Sequence, residues 1–270
     1  MLRDTELLAA GSILLTAYDL HERPWGDGSQ LEGVIEAGYA GDGVLIPEYL
    51  CDSLPVAGRG QAAFAITISR EGEKVHEVLR PADTPDVIGA GARVIGRFAE
   101  LMSELGKKTH PHSGTDTIFV GQFESGEIFN QAPTECRLSG TRRWVTPGDG
   151  EAAYAELRQL MAEVATATGT KIEADITLSG EAFRLDESDP LVDAFHGGYG
   201  AVTGGARLEA GNKLFVDDGN AFYSMRKTPV ITHGPAATGA HTLDERVPID
   251  ELVRVTQVYA LTAIDYCSPT

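Results

Sequence analysis

The residues with the clearest chemical potential are Glu22, Glu48 and His241, whose side chains are of the kinds that bind metal ions. Glu22 and Glu48 each follow a short apolar run that predicts a strand, and His241 follows two small residues that let the backbone approach an ion. Ligands of open α/β sheets bind beyond the carboxyl ends of the strands. We therefore expect these side chains to converge on a zinc site. Taken alone, His241 is equally compatible with an exposed loop histidine.

The elements that would position these residues alternate between strands and helices. Before residue 58 the pattern predicts a strand at 12–18, a helix at 30–37 and a strand at 44–47, as in a parallel sheet. After residue 186 it predicts a helix at 190–199, strands at 213–217 and 229–233, and a helix at 249–266. We therefore predict an α/β domain formed by residues 1–57 and 186–270.

The segment between these halves has a different pattern. Its predicted strands (62–69, 117–124, 135–143 and 171–179) and helices (85–105 and 151–166) follow the order β-α-β-β-α-β. This is the order of the ferredoxin-like unit. Residues 58–185 are therefore predicted to be an inserted domain.

Charge and cysteine usage exclude several classes of partner and suggest a compartment. The chain has 270 residues with 40 acidic and 22 basic side chains, a net charge of −18 that repels nucleic acid and anionic membranes. Its three cysteines are far apart and odd in number, which favours free thiols in a reducing cytoplasm. The sequence contains no apolar run of membrane-spanning length, and its start lacks the order of a signal peptide.

Several motifs, in this order along the chain, resemble the M20 metallopeptidases and amidohydrolases. The motifs lie at residues 17–22, 46–48, 126–133, 140–143, 234–235, 240–242 and 245–247. That group includes acetylornithine deacetylase, succinyl-diaminopimelate desuccinylase, aminoacylases and carboxypeptidases. The resemblance implies a partial zinc-peptidase-like catalytic domain, with the inserted domain acting as its lid and as a homodimer interface.

The resemblance also implies an activity and a cofactor. It implies hydrolysis of an amide bond in an N-acyl amino acid or dipeptide-like substrate, with one or two zinc ions, or cobalt, as the cofactor. His76 matches a histidine that polarises the scissile carbonyl from the partner subunit. His21 stands where the family usually has the glutamate that acts as general base, and it could be a base, a ligand or a sign of altered chemistry.

Three further residues are implied to bind the substrate: Asn130, Arg143 and Asn220. An amide such as that of Asn130 can bond a substrate carbonyl, and a guanidinium can clamp a carboxylate with its bidentate fork. Arg142 and Arg143 alternate along one strand, so only one of them should face the site. Arg143 is the one that matches the motif. The acidic segment at Asp217 is equally consistent with a simple Asp-Gly turn.

The family pattern has two elements that this sequence does not contain, a His-x-Asp ligand motif and a metal-bridging aspartate upstream of residue 21. We therefore expect an N-terminally truncated catalytic domain with weak or absent activity. The alternative is a non-catalytic binding or dimerisation protein that retains the scaffold. A third possibility is an α/β protein that binds a small anion at a helix N-terminus.

Overall fold

The computed structural model describes residues 7–8, 10–19, 28–48, 52–205, 207–213, 215–240 and 242–267. Within them the chain divides into two compact units. The first unit combines the residues up to Gly58 with those from Phe183 onward, and the second runs from Arg59 to Ala182. Among the described residues no helix is long and apolar enough to cross a membrane.

The secondary structure alternates strands and helices along the chain. The strands are β1 (Val44–Ile46), β2 (Leu54–Gly58), β3 (Gly60–Ser69), β4 (Val75–His76), β5 (Thr109–His110), β6 (Gly114–Thr115), β7 (Thr117–Ser125), β8 (Gln131–Ala132), β9 (Glu135–Trp144), β10 (Lys171–Gly180), β11 (Phe183–Arg184), β12 (Ala210–Lys213) and β13 (Val230–Thr232). The α-helices are α1 (Ser29–Glu36), α2 (Val87–Leu105), α3 (Gly150–Thr168), α4 (Pro190–Thr203), α5 (Asp218–Arg226) and α6 (Ile249–Tyr266).

The second unit is an antiparallel sheet of four strands in the order β10-β3-β9-β7, with helices α2 and α3 on one face. The helices cover this face because alternate residues of the strands, as in β3, are apolar and buried there. Phe64, Ile66 and Ile68 pack against the helical residues Val94, Phe98 and Leu157. The opposite face of the sheet carries mainly polar and small side chains. The four long strands and two α-helices, leaving out the two-residue strands, follow the β-α-β-β-α-β order of a ferredoxin-like unit.

The first unit contains the parallel pair β1–β13 and a small sheet in which β2 pairs with β11 and β12. Helices α4 and α6 pack closely on each other, and Phe195, Ile231 and Val258 lie in the core. This mixture of helices with parallel strands confirms the predicted α/β class.

Two predicted elements of the first unit are wrong. Residues 12–18 were expected to form a buried strand, but they have no regular structure and residues 12–17 are exposed, because no described strand pairs with them. The strand predicted at 213–217 ends at Lys213, and helix α5, which was not predicted, begins at Asp218. The helix starts there because Asp217 and Asn220 form a capping box.

Candidate active site

Three of the predicted site residues, His21, Glu22 and His241, lie outside the described residues. The metal-ligand and base roles assigned to them therefore stay predictions. In the part of the chain that the structure describes, no three His, Cys, Asp or Glu side chains group to hold a metal ion. Glu48 is the one predicted ligand whose surroundings can be described.

Glu48 lies at the carboxyl end of β1, where the prediction expects a ligand. Ile46 and Thr232 are partners in the parallel pair β1–β13, and the His233 backbone N–H donates to the Ile46 carbonyl over 3.0 Å. Beyond this bond the two strand ends come so close that a Cβ at Gly234 would lie 2.0 Å from the Glu48 carbonyl oxygen. Only glycine fits there, so Gly234 fixes the backbone from which Glu48 projects.

A hydrogen-bonded group on α6 holds the segment after β13 in place. Arg254 donates from Nη2 to the Gly234 carbonyl over 3.1 Å and to Glu251 over 2.8 Å, and Glu251 accepts from the Ala236 N–H over 2.8 Å. The bonds to Arg254 and Ala236 lower the pKa of Glu251 to about 2. The sequence analysis missed this group, although the i, i+3 spacing of Glu251 and Arg254 on a predicted helix was a signal for an ion pair.

His233 is fully buried beside this group. Its Nε2 lies 3.2 Å from Arg254 Nη1, which can only donate, so the neutral ring carries its proton on Nδ1. Burial, followed by the charge of Arg254, lowers the pKa of His233 to about 4. Nδ1 has no hydrogen-bond partner among the described residues. His233 is thus a neutral residue that supports Arg254.

The acidic segment before α5 is built around a buried ion pair. Lys213 and Asp217 are both almost inaccessible, and they form the ion pair across the start of the helix. Burial lowers the pKa of Lys213, while Asp217, Asp218 and Glu48 act in the opposite direction. This ammonium therefore balances part of the negative charge near Glu48.

Asn220 and Tyr18 form hydrogen bonds with this acidic segment. Asn220 is 1% exposed, and its Oδ1 accepts from the Asp217 N–H over 3.2 Å. Its side chain caps α5, and its predicted contact with the substrate stays a prediction. Tyr18 donates its hydroxyl to Asp218, and burial and this bond raise the pKa of Tyr18.

In the second unit the structure brings together two predicted site residues, His76 and Asn130. Strands β4 and β8 pair His76 with Gln131, which places the preceding Asn130 beside the imidazole. Asn130 Nδ2 lies 3.0 Å from His76 Nε2. The other ring nitrogen, Nδ1, lies 2.9 Å from a Glu77 carboxylate oxygen, and the imidazole is half-exposed. An accessible imidazole and an amide donor thus lie side by side, where both could contact one ligand.

The neighbouring residues Arg142 and Arg143 project to opposite faces of the sheet, as their alternation predicts. Arg142 is 2% exposed and lies on the helical face, where Nη1 and Nη2 each donate to Asp116 Oδ2 over 3.2 Å. It also contacts Glu156 of α3. Arg143 is half-buried on the other face, and its Nη1 has no hydrogen-bond partner among the described residues.

Comparison with known proteins decides the family. The sequence profile of peptidase family M20/M25/M40 matches residues 18–265, which is most of the chain. The chain belongs to this family. The resemblance inferred from the motifs is therefore confirmed. A curated relative, succinyl-diaminopimelate desuccinylase of Dinoroseobacter shibae, is 25% identical over 267 residues, which cover 95% of this chain and 67% of the relative.

Solved structures share the fold. A tripeptidase of Staphylococcus aureus superposes with a TM-score of 0.69 at 20% identity, covering 90% of this chain and 62% of that one. The YxeP protein of Bacillus subtilis, described as a dinuclear metal-binding peptidase of the M20 family, gives a TM-score of 0.59 at 15% identity, with coverages of 87% and 60%. The chain thus spans about two thirds or less of the length of these relatives.

Proposed function

We propose that this chain is a metal-dependent hydrolase that cleaves an amide bond of an N-acyl amino acid or a small peptide. The family match and the desuccinylase and peptidase names of the relatives support this reaction class. The observation that carries the proposal is the contact between His76 and Asn130, since two residues chosen separately from motifs 54 positions apart meet at 3.0 Å.

The proposed metal ligands are Glu22, Glu48 and His241, with zinc or cobalt as the ion. Glu48 fits this role because its carboxylate belongs to a backbone segment fixed by Gly234 at a strand's carboxyl end, and carboxylate oxygen is a ligand that zinc accepts. When bound, such an ion polarises the scissile carbonyl as a Lewis acid.

In the second unit, His76 and Asn130 would act on a substrate carbonyl. Glu77 lies beside Nδ1 of His76, so the imidazole is oriented with Nε2 toward Asn130 and the substrate. In the reaction, the Asn130 amide would turn from Nε2 toward the substrate, and a ring protonated on both nitrogens would donate from Nε2 to the oxyanion that forms at the carbonyl oxygen. Asn130 would donate a second hydrogen bond to that oxygen. Arg143, at the opposite end of the four-stranded sheet, would bind a substrate carboxylate there.

The activity is tested by measuring hydrolysis of N-succinyl and N-acetyl amino acids with added zinc or cobalt. The proposal expects weak turnover that requires the metal and falls at least a hundredfold in His76→Ala, the scale of losing an oxyanion donor. His112→Ala is the matched control, because this histidine belongs to the same unit but lies in the β5–β6 turn. Substrate binding without turnover under any metal would instead favour the non-catalytic alternative.

We also propose that the second unit forms a homodimer and that His76 acts on the partner's substrate. Strand β7 supports this, because it is an edge strand with the exposed aromatic residues Phe119 and Phe123. Mixing the inactive variants His76→Ala and Glu48→Gln tests it. Action in trans restores one complete site in each mixed dimer, whereas action within one subunit restores none. A monomer in sedimentation would contradict the proposal.

A further inference from the structure

A second arginine lies beside Arg143 on the polar face of the four-stranded sheet. Arg59, which precedes β3, donates from Nη1 to the Thr115 carbonyl and to Thr117 Oγ1, each over 3.2 Å. Thr117 is the direct cross-strand partner of Arg143 in the β7–β9 pair. Directly paired residues of antiparallel strands project to the same face with Cβ atoms about 5 Å apart. The Arg59 guanidinium is therefore held beside the Arg143 side chain.

The pairing of β9 with β3 and with β7 shows on which face of the sheet the Arg143 side chain lies. Gln61 is its partner on β3 and Thr117 its partner on β7, so these three side chains form one row across the sheet. The residues next to Gln61 and Thr117, Ala62 and Ile118, are buried in the cores on the helical face. The row is thus polar, and together with Arg59, which is bound to Thr117, it has two positive charges at one end of the sheet.

These two guanidiniums have no acidic partner in the described part of the chain. The contrast with their neighbours is informative, because Arg137 on the same strand pairs with Glu135 at 2.6 Å and Arg142 pairs with Asp116. A buried guanidinium nitrogen without a partner costs free energy, and Arg143 Nη1 is such an atom. The pKa of Arg143 is lowered, first by burial and then by the charge of Arg59.

We propose that Arg59 acts with Arg143 as a second arginine that binds a carboxylate group of the substrate. A carboxylate would pair with the free nitrogen of Arg143 and offset the repulsion between the two cations, which a neutral group cannot do. Planar carboxylates match the guanidinium fork. The inference rests on the proposed function for the identity of the ligand, and it adds Arg59 as a specificity-determining residue.

The test measures binding of succinate and of its neutral isostere succinamide by calorimetry, in the presence of a chelator so that no metal contributes. We expect the wild-type protein to bind succinate measurably and succinamide at least tenfold more weakly. Arg59→Met and Arg143→Met should each weaken succinate binding about tenfold or more, as expected for a charge-assisted bond. Arg137→Met, on the same face of the same strand, is the matched control and should leave binding unchanged.

Three results would overturn the inference: unchanged succinate affinity in Arg59→Met, equal affinity for succinamide, or tighter binding of inorganic phosphate than of succinate. Thermal unfolding of each variant shows that a loss of binding does not come from a loss of fold. Hydrolysis is measured separately. If the protein has no amidase activity but the arginine variants lose succinate binding, the inference is supported and the proposed function is refuted. If the protein has amidase activity but the arginine variants bind succinate as the wild type does, the proposed function is supported and the inference is refuted.

Discussion

Replacing Arg142 by methionine is expected to destabilise the second unit far more than the same change at its neighbour Arg143. Arg142 and Asp116 are 2% and 0% exposed, and Asp116 Oδ2 accepts two bonds from the guanidinium. Without Arg142, the carboxylate of Asp116 keeps its bond from the Val145 N–H at 2.8 Å but loses the cation that balances its charge. Breaking a buried pair by removing one partner costs about 3–5 kcal/mol.

The change at Arg143 should cost less than about 1 kcal/mol, because this guanidinium has no acidic partner among the described residues. Methionine keeps most of the aliphatic volume in both variants. The double variant Arg142→Met with Asp116→Asn should recover part of the loss, since it leaves no unpaired charge in the core.

Urea unfolding followed by Trp144 fluorescence measures the difference, because this indole is fully buried in the second unit and donates to Glu181 over 2.9 Å. A Trp25→Phe background leaves Trp144 as the sole reporter. With an m-value of about 2 kcal/mol per M, a loss of about 4 kcal/mol lowers the midpoint by about 2 M. A loss for Arg143→Met equal to that for Arg142→Met would refute the assignment of the two arginines to opposite faces.

Three further changes test the first unit. Lys213→Met should cost several kcal/mol in urea unfolding because it leaves the Asp217 carboxylate buried, and a loss below about 1 kcal/mol would contradict the ion pair. Gly234→Ala should cost about 2–3 kcal/mol and weaken metal binding in calorimetry, since its Cβ meets the Glu48 backbone, whereas Gly33→Ala, with open space on a helix, should be neutral or stabilising. The folded-state pKa of His233, about 4 against an ordinary 6.5, means that the unfolded chain binds a proton first as the pH falls. Stability should therefore be lost between pH 6.5 and 4 at up to about 1.4 kcal/mol per pH unit, and His233→Gln should flatten this part of the profile; an unchanged profile would refute a neutral His233.

The sequence predicted those parts of the fold in which local pattern and tertiary packing agree. Helix α6 has the bounds expected from its periodicity, 249–266. The strand predicted at 12–18 was wrong because an apolar segment forms a strand only beside a pairing strand, and no described strand pairs with these residues. Helix α5 was missed because its capping residues, Asp217 and Asn220, also fit an Asp-Gly turn, and the packing of Phe222 in the core decides between the two.

The candidate site likewise has a part that could be predicted from the sequence and a part that could not. Motif position predicted His76, Asn130 and Arg143 as site residues, and strand alternation correctly predicted that Arg142 and Arg143 lie on opposite faces of the sheet. The contacts of Arg59, Lys213 and His233 could not be predicted in this way, because they depend on strand register and burial. A lone lysine or histidine in a sequence carries no sign that it is buried.

The most direct test of the central claim is a double-mutant cycle between His76 and Asn130, measured as kcat/KM for an N-acyl amino acid with saturating zinc. If both side chains act on one substrate carbonyl, each single alanine variant should lose most of the activity, and the double variant should lose much less than the product of the two losses. Losses that multiply, or activity in His76→Ala equal to wild type, would contradict the joint role of these residues in amide hydrolysis.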